Sequence, residues 1–102
     1  MNKQIEFQWD ETKNAINCKK HGISFEEARS CFYDESALLI SDPDHSDLED
    51  RFILLGFSTN AKLLVVCHCY REVMKNREVI RIISARKTDK YETKQYRNRG
   101  QK

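Results

Sequence analysis

Between residues 51 and 86 the chain carries three runs rich in Leu, Ile and Val, at 51–57, 62–70 and 78–86, separated only by short polar stretches. A parallel crossover needs a dozen or more connecting residues. Runs joined this tightly must therefore pair with their sequence neighbours as an antiparallel meander. A shorter apolar segment at 37–41 adds a fourth extended piece. Such a sheet has faces to cover, and the rest of the chain supplies the cover.

Residues 4–9 alternate Ile5, Phe7 and Trp9 against Gln4, Glu6 and Gln8, the period of a short strand. Asp10 is a good N-cap for a first helix that ends at Lys20 and His21, with Gly22 as its left-handed C′ residue. A second helix opens at once. Ser24 and Glu27 have capping-box spacing, Ile23 and Ala28 can staple it, and Phe25, Ala28 and Phe32 form an apolar stripe that should end near Tyr33. Thr88 is the expected cap of a last helix over 89–97, with 97–102 a frayed tail. The expected fold class is α+β: an antiparallel sheet with two N-terminal helices and one C-terminal helix, in one domain spanning 1–102.

With 102 residues, 39% of them hydrophobic, the chain can build one core and is too apolar for disorder. Its longest apolar run, 63–67, is far below a membrane span, and its first residues do not read as a signal peptide. A cytoplasmic protein with no membrane partner and four reduced cysteines is expected. The net charge of +2 hides an asymmetry. Residues 1–60 hold 6 Lys/Arg and 12 Asp/Glu, a balance of −6; residues 61–102 hold 12 and 4, a balance of +8. A basic half suits a polyanionic partner, although solvated charge balancing itself across a small domain explains the numbers as well. Metal and cofactor chemistry is not expected. Cys67 and Cys69 point to the opposite strand face from His68, and the acidic segment from Asp42 lacks the glycine and the final Glu of a calcium loop. Phosphate-binding glycine loops and nucleophile elbows are missing too, and Cys31 lies on an apolar helix stripe.

Strand register suggests a polar centre. If each hairpin closes with a four-residue loop, Phe57 lies opposite Lys62 and Glu72 opposite Arg77. Arg51, His68 and Arg81 then form one row across three strands, with neighbouring Cβ atoms about 5 Å apart. A neutral imidazole between two guanidiniums is suited to proton transfer beside a bound phosphate. In the alternative, His68 is a core histidine bonded to a backbone carbonyl, and the arginines pair with the acidic segment. On the first helix Lys13, Asn17, Lys20 and His21 share a face at i, i+4, i+7 and i+8. Cations in its last turn also suit the helix dipole without any function. Glu92 and Tyr96 are four apart on the last helix, and Trp9 or Tyr96 could stack a base.

The order of these residues resembles the BrnT-type ribonuclease toxins of bacterial type II toxin–antitoxin systems. The likeness runs from about Ile5 to Tyr96. It rests on Phe7-x-Trp9-Asp10-x-x-Lys13, on Asn17-x-x-Lys20-His21-Gly22-Ile23-x-Phe25-x-x-Ala28, on the acidic stretch before Arg51 and on Gly56. Arg81-Ile-Ile-Ser-Ala-Arg86-Lys87, followed by Glu92 and Tyr96, completes it. The resemblance implies a RelE-like microbial ribonuclease fold and cleavage of RNA that halts translation. It also implies neutralisation by a BrnA-type antitoxin, with operator DNA reached only through the antitoxin complex. The expected reaction is metal-independent attack of a ribose 2′-hydroxyl on its own phosphate. Its catalytic candidates are His68, Arg51 and Arg81, with Lys20 and His21 behind them. Lys13, Asn17, Arg86, Lys87, Glu92 and Tyr96 are the candidate RNA contacts. A non-catalytic nucleic-acid-binding module using the same basic face is the alternative.

Overall fold

A computed structural model describes residues 4–42 and 50–99. The expected acidic loop, 42–47, lies outside the described residues beyond Asp42, as does the end of the tail at 100–102. The element order is β1 (Gln4–Gln8), α1 (Glu11–His21), α2 (Phe25–Ser30), a 3-10 turn (Cys31–Tyr33), β2 (Leu38–Ser41), β3 (Asp50–Phe57), β4 (Leu63–Met74), β5 (Arg77–Lys87) and α3 (Lys90–Asn98). One five-stranded sheet has the order β1-β5-β4-β3-β2. Strands β2 to β5 pair antiparallel, as the short connections require.

The expected purely antiparallel sheet is corrected at its edge, where β1 runs parallel to β5, with Phe7 beside Ile80 and Gln8 beside Arg81. Two helices and three strands separate β1 from β5 in sequence, so no short turn dictates their direction. This pairing sends Phe7 under the helices, where its ring meets Phe32 edge-on at 5.2 Å.

Local signals set the helix ends. The Asp10 carboxylate accepts the N–H groups of Thr12 and Lys13, and Gly22 closes α1 at φ 70° with its N–H on the Cys18 carbonyl. Ser24 caps α2 by accepting from the Glu27 N–H. The expected reciprocal half of that box is replaced: the Glu27 carboxylate instead accepts from the Ser58 hydroxyl at 2.7 Å and approaches Lys62. A complete capping box sits at α3, where the cap is Asp89 rather than Thr88.

Helices α1 and α2 cover one sheet face. Ile23, Phe25, Ala28 and Cys31 pack there on Leu54, Leu64, Val66, Ile82 and Ala85. Gly56 is required where the 3-10 turn crosses β3, because a Cβ at that position would lie 3.0 Å from the Cys31 carbonyl oxygen. Burial pushes the Cys31 thiol up to about 12, reinforced by the Glu27 and Asp34 carboxylates, so it stays protonated and inert. Among the described residues, the opposite face is covered only at its β3–β4 hairpin end. There α3 lays Tyr96 on Leu55 and Val65, beside Leu38, Ile40, Ile53 and Leu63.

Candidate nucleic-acid interface

The uncovered half of that second face carries a row of four side chains. Arg51 on β3 lies opposite Cys69 on β4, Cys69 opposite Arg81 on β5, and Arg81 beside Gln8 on β1. The Arg81 guanidinium donates from Nη2 to the Cys69 sulfur at 3.8 Å, over a thiol only 5% exposed. Arg71, two residues further along β4, projects from the same face. An open cleft of about 740 Å³ lies here, lined by Gln8, Asp50, Cys69, Tyr70, Arg71, Glu72, Val79 and Arg81.

His68 is not in this row. It pairs with Phe52 and Ile82 and points to the helix-covered face, 3% exposed. Its ring meets Phe32 edge-on at 4.8 Å and stacks on Phe52 at 6.0 Å, and its Nδ1 lies 3.2 Å from the Val66 carbonyl. Burial holds its pKa below the usual imidazole value, although the Val66 carbonyl pulls the other way. The expected cluster of His68 with Arg51 and Arg81 is therefore overturned, and His68 is a core histidine.

The cause is a count of single residues. The first hairpin closes between Phe57 and Leu63 rather than Phe57 and Lys62. Its turn carries Ala61 at φ 60° and lengthens the loop by one. The second closes across Lys75 and Asn76, with register shifts near Val73 and at Ile83. The longer first turn, and the second turn with its shift near Val73, put Cys69 rather than His68 opposite the arginines.

The first helix is also sorted differently. Asn17 is buried and does not face solvent. Strand β1 pairs with β5 only as far as Arg81, leaving the later β5 edge open. Asn17 closes it, its Nδ2 donating to the Ala85 carbonyl at 2.8 Å and its Oδ1 accepting the Ala85 N–H at 3.2 Å; Nδ2 also reaches the Ile23 carbonyl. The side-chain amide thus acts as a one-residue strand, which corrects its expected RNA contact. Asn14 points toward α2, accepting the Phe25 N–H at 2.8 Å. With about 100° per residue, Lys13 and Lys20 lie on the far side of Asn17 from Asn14, and both are exposed. His21 lies on the Asn14 side, so α1 does not bring Lys20 and His21 to one place.

At the C-terminal end, Arg86 and Glu92 bind each other in a fork, with Nη1 to Oε1 at 2.9 Å and Nη2 to Oε2 at 2.8 Å. Nη1 also reaches the Lys87 carbonyl. Arg86 holds the Glu92 carboxyl below the usual carboxylate range, against the opposing effect of burial. The pair anchors α3 to β5, and most of the Arg86 donors are spent. Tyr96 is buried, its hydroxyl donating to Asp34 at 2.7 Å and its ring edge-on to Phe57. Trp9 donates its indole N–H to Glu11 and packs on Phe25 beneath Arg29. Tyr96 and Trp9 are therefore structural aromatics, and neither offers a free face to a base. Lys87 is exposed at the end of β5. Sequence reasoning missed Cys69, Gln8 and Arg71, although the i, i+2 spacing of Cys67, Cys69 and Arg71 was there to group them.

A family model described as "Ribonuclease toxin, BrnT, of type II toxin-antitoxin system" matches residues 9–92. The chain belongs to this BrnT ribonuclease toxin family. Among solved structures it is similar to the Brucella abortus ribonuclease toxin BrnT, at 22% identity and a TM-score of 0.58, over 85% of this chain and 100% of that one. This is a likeness of fold. Curated proteins give no match. Membership in the family makes the chain a ribonuclease toxin of a type II toxin–antitoxin system. No described helix is long and apolar enough to cross a membrane.

Proposed function

We propose that this BrnT-family toxin is a RelE-like endoribonuclease that lays RNA across the uncovered half of its sheet and cleaves it without a metal ion. The observation that carries this reading is the row in which Arg51 and Arg81 flank Cys69. Attack by a ribose 2′-oxygen forms its bond to phosphorus and breaks the bond to the 5′-oxygen, leaving a 2′,3′-cyclic phosphate and a 5′-hydroxyl. One proton passes from the 2′-hydroxyl to solvent water and one must reach the departing oxygen. Arg51 and Arg81 are assigned to the phosphate, because planar guanidiniums suit its non-bridging oxygens as charge builds on them. Lys20 is assigned as the proton donor to the 5′-oxygen, supported by its exposed ammonium group at the end of α1. Translation stops as RNA is cut, a BrnA-type antitoxin neutralises the toxin, and operator DNA is engaged through that complex.

The test incubates purified protein with total RNA, with and without excess EDTA. Shortened RNA is expected in both. Arg51→Ala and Arg81→Ala should each lower the cleavage rate by about a hundredfold while far-ultraviolet circular dichroism stays unchanged. Loss of cleavage in EDTA, or full activity in either variant, overturns the mechanism. One observation favours a second reading, a non-catalytic RNA-binding module: among the described residues this face carries no histidine. RNA shifted on a gel without shortening would establish that module instead.

A further inference from the structure

The row across the uncovered face ends on β1 with a side chain of a different kind. After Arg51, Cys69 and Arg81 comes Gln8, one strand spacing of about 4.8 Å beyond Arg81. Gln8 is exposed and lines the cleft. Among the described residues of that lining, the cations are Arg71 and Arg81, the carboxylates are Asp50 and Glu72, and Gln8 is the sole carboxamide. An uncharged amide adds little to a phosphate site that already holds guanidiniums. Its donor and acceptor suit the polar edge of an unpaired nucleobase.

The neighbours of Gln8 fix which way that amide faces. Its Nε2 donates to Glu6 Oε2 at 2.8 Å, and Arg77 Nη2 donates to Glu6 Oε1 at 3.0 Å. Hydrogen bonds from Gln8 and then from Arg77 hold the Glu6 carboxyl below the usual carboxylate range, so at neutral pH it only accepts. The amide nitrogen must therefore face Glu6, which turns Gln8 Oε1 outward. What a ligand meets is an acceptor backed by a carboxylate. Adenine and cytosine carry an exocyclic amino group that satisfies it. The N3–H of uracil lies between two carbonyl oxygens, which the same carboxylate repels.

We propose that Gln8 forms a base-reading subsite, with Glu6 as the positioning residue behind it, that selects adenine or cytosine over uracil beside the scissile phosphate. The proposal rests on the ribonuclease reading above and gives it a substrate preference. With the phosphate on Arg51 and Arg81, a flanking nucleotide directed along the row toward β1 brings its base to the Gln8 amide. Neither Gln8 nor Glu6 touches the reacting atoms.

The experiment measures initial cleavage rates, bond by bond, along a mixed-sequence single-stranded oligoribonucleotide, for wild type, Gln8→Ala, Gln8→Met and Glu6→Gln. Bonds compete within one substrate, so their relative rates are ratios of kcat/KM. Wild type should cut bonds flanked by adenine or cytosine about fivefold faster than bonds between two uracils. Gln8→Ala and Gln8→Met, which offer no amide, should bring that ratio to about one. Glu6→Gln lets the residue at position 6 donate as well as accept, which frees the Gln8 amide to turn over, and should lower the ratio to about two. Melting temperatures should be the same for all four proteins. If wild type cuts without base preference, or the preference survives in Gln8→Ala and Gln8→Met, the subsite is refuted and the ribonuclease reading stands. Full preference in Glu6→Gln would refute the positioning role of Glu6. A wild-type protein that leaves the oligomer intact would refute the ribonuclease reading together with the subsite.

Discussion

At the scale of single residues, the sharpest contrast is between His68 and Cys69. They are sequence neighbours on one strand, and they serve opposite faces. His68 fills a slot between Phe32 and Phe52 where a charged imidazole would be poorly solvated. A histidine kept neutral by burial binds fewer protons folded than unfolded between its two pKa values. Its contribution to stability is therefore complete above the ordinary imidazole value, and is lost as pH falls toward the depressed one. His68→Phe keeps an aromatic ring in the slot and removes this titration. The variant should retain RNA cleavage within a few-fold of wild type. Its melting temperature should vary less than that of wild type between about pH 7 and pH 5. Loss of cleavage in a folded His68→Phe protein would return His68 to the chemistry.

At the scale of elements, the helices were legible because their ends are written locally. Asp10, Gly22 and Ser24 each act within a few residues of their own position. The strands were legible as segments for the same reason: alternation and β-branched content are local. Their pairing was not. One extra residue in the turn with Ala61, and the register shift near Val73 after the second turn, decide which side chains face the cleft. No periodicity within a strand records a residue inserted outside it. The parallel seating of β1 was hidden too, because its partner lies some seventy residues away, with Gln4 beside Arg77. Asn17 shows the same limit on a helix. Its spacing placed it in a polar stripe, and only the open edge of β5 shows why a buried amide is needed there. Asn17→Ala should strand the Ala85 N–H and carbonyl without partners, at a cost of about 2–4 kcal/mol. Urea unfolding followed by circular dichroism would check this. A midpoint equal to wild type would mean that water replaces the amide at no cost.

For the whole molecule, charge decides how far the protein can reach for RNA. The acidic balance of residues 1–60 nearly cancels the basic balance of 61–102, so the net charge of +2 gives only a weak long-range field. Affinity must then come from the cations that touch phosphates. Arg51 and Arg81 in the row, Arg71 beside them and the exposed Lys13 and Lys20 of α1 are the candidates; Arg86 is held by Glu92. Single-stranded binding loses about 0.7 in log K per tenfold rise in salt for each phosphate neutralised, so three to five contacts give a slope of roughly −2 to −3.5. Fluorescence anisotropy with a labelled oligoribonucleotide across a salt series measures it. Arg81→Ala should make the slope shallower by about 0.7, and Lys62→Ala, at the opposite end of the sheet, should leave it unchanged. If both variants alter it equally, RNA is held by diffuse charge. If Lys62→Ala alone alters it, the RNA lies at the hairpin end and the uncovered face is the wrong surface.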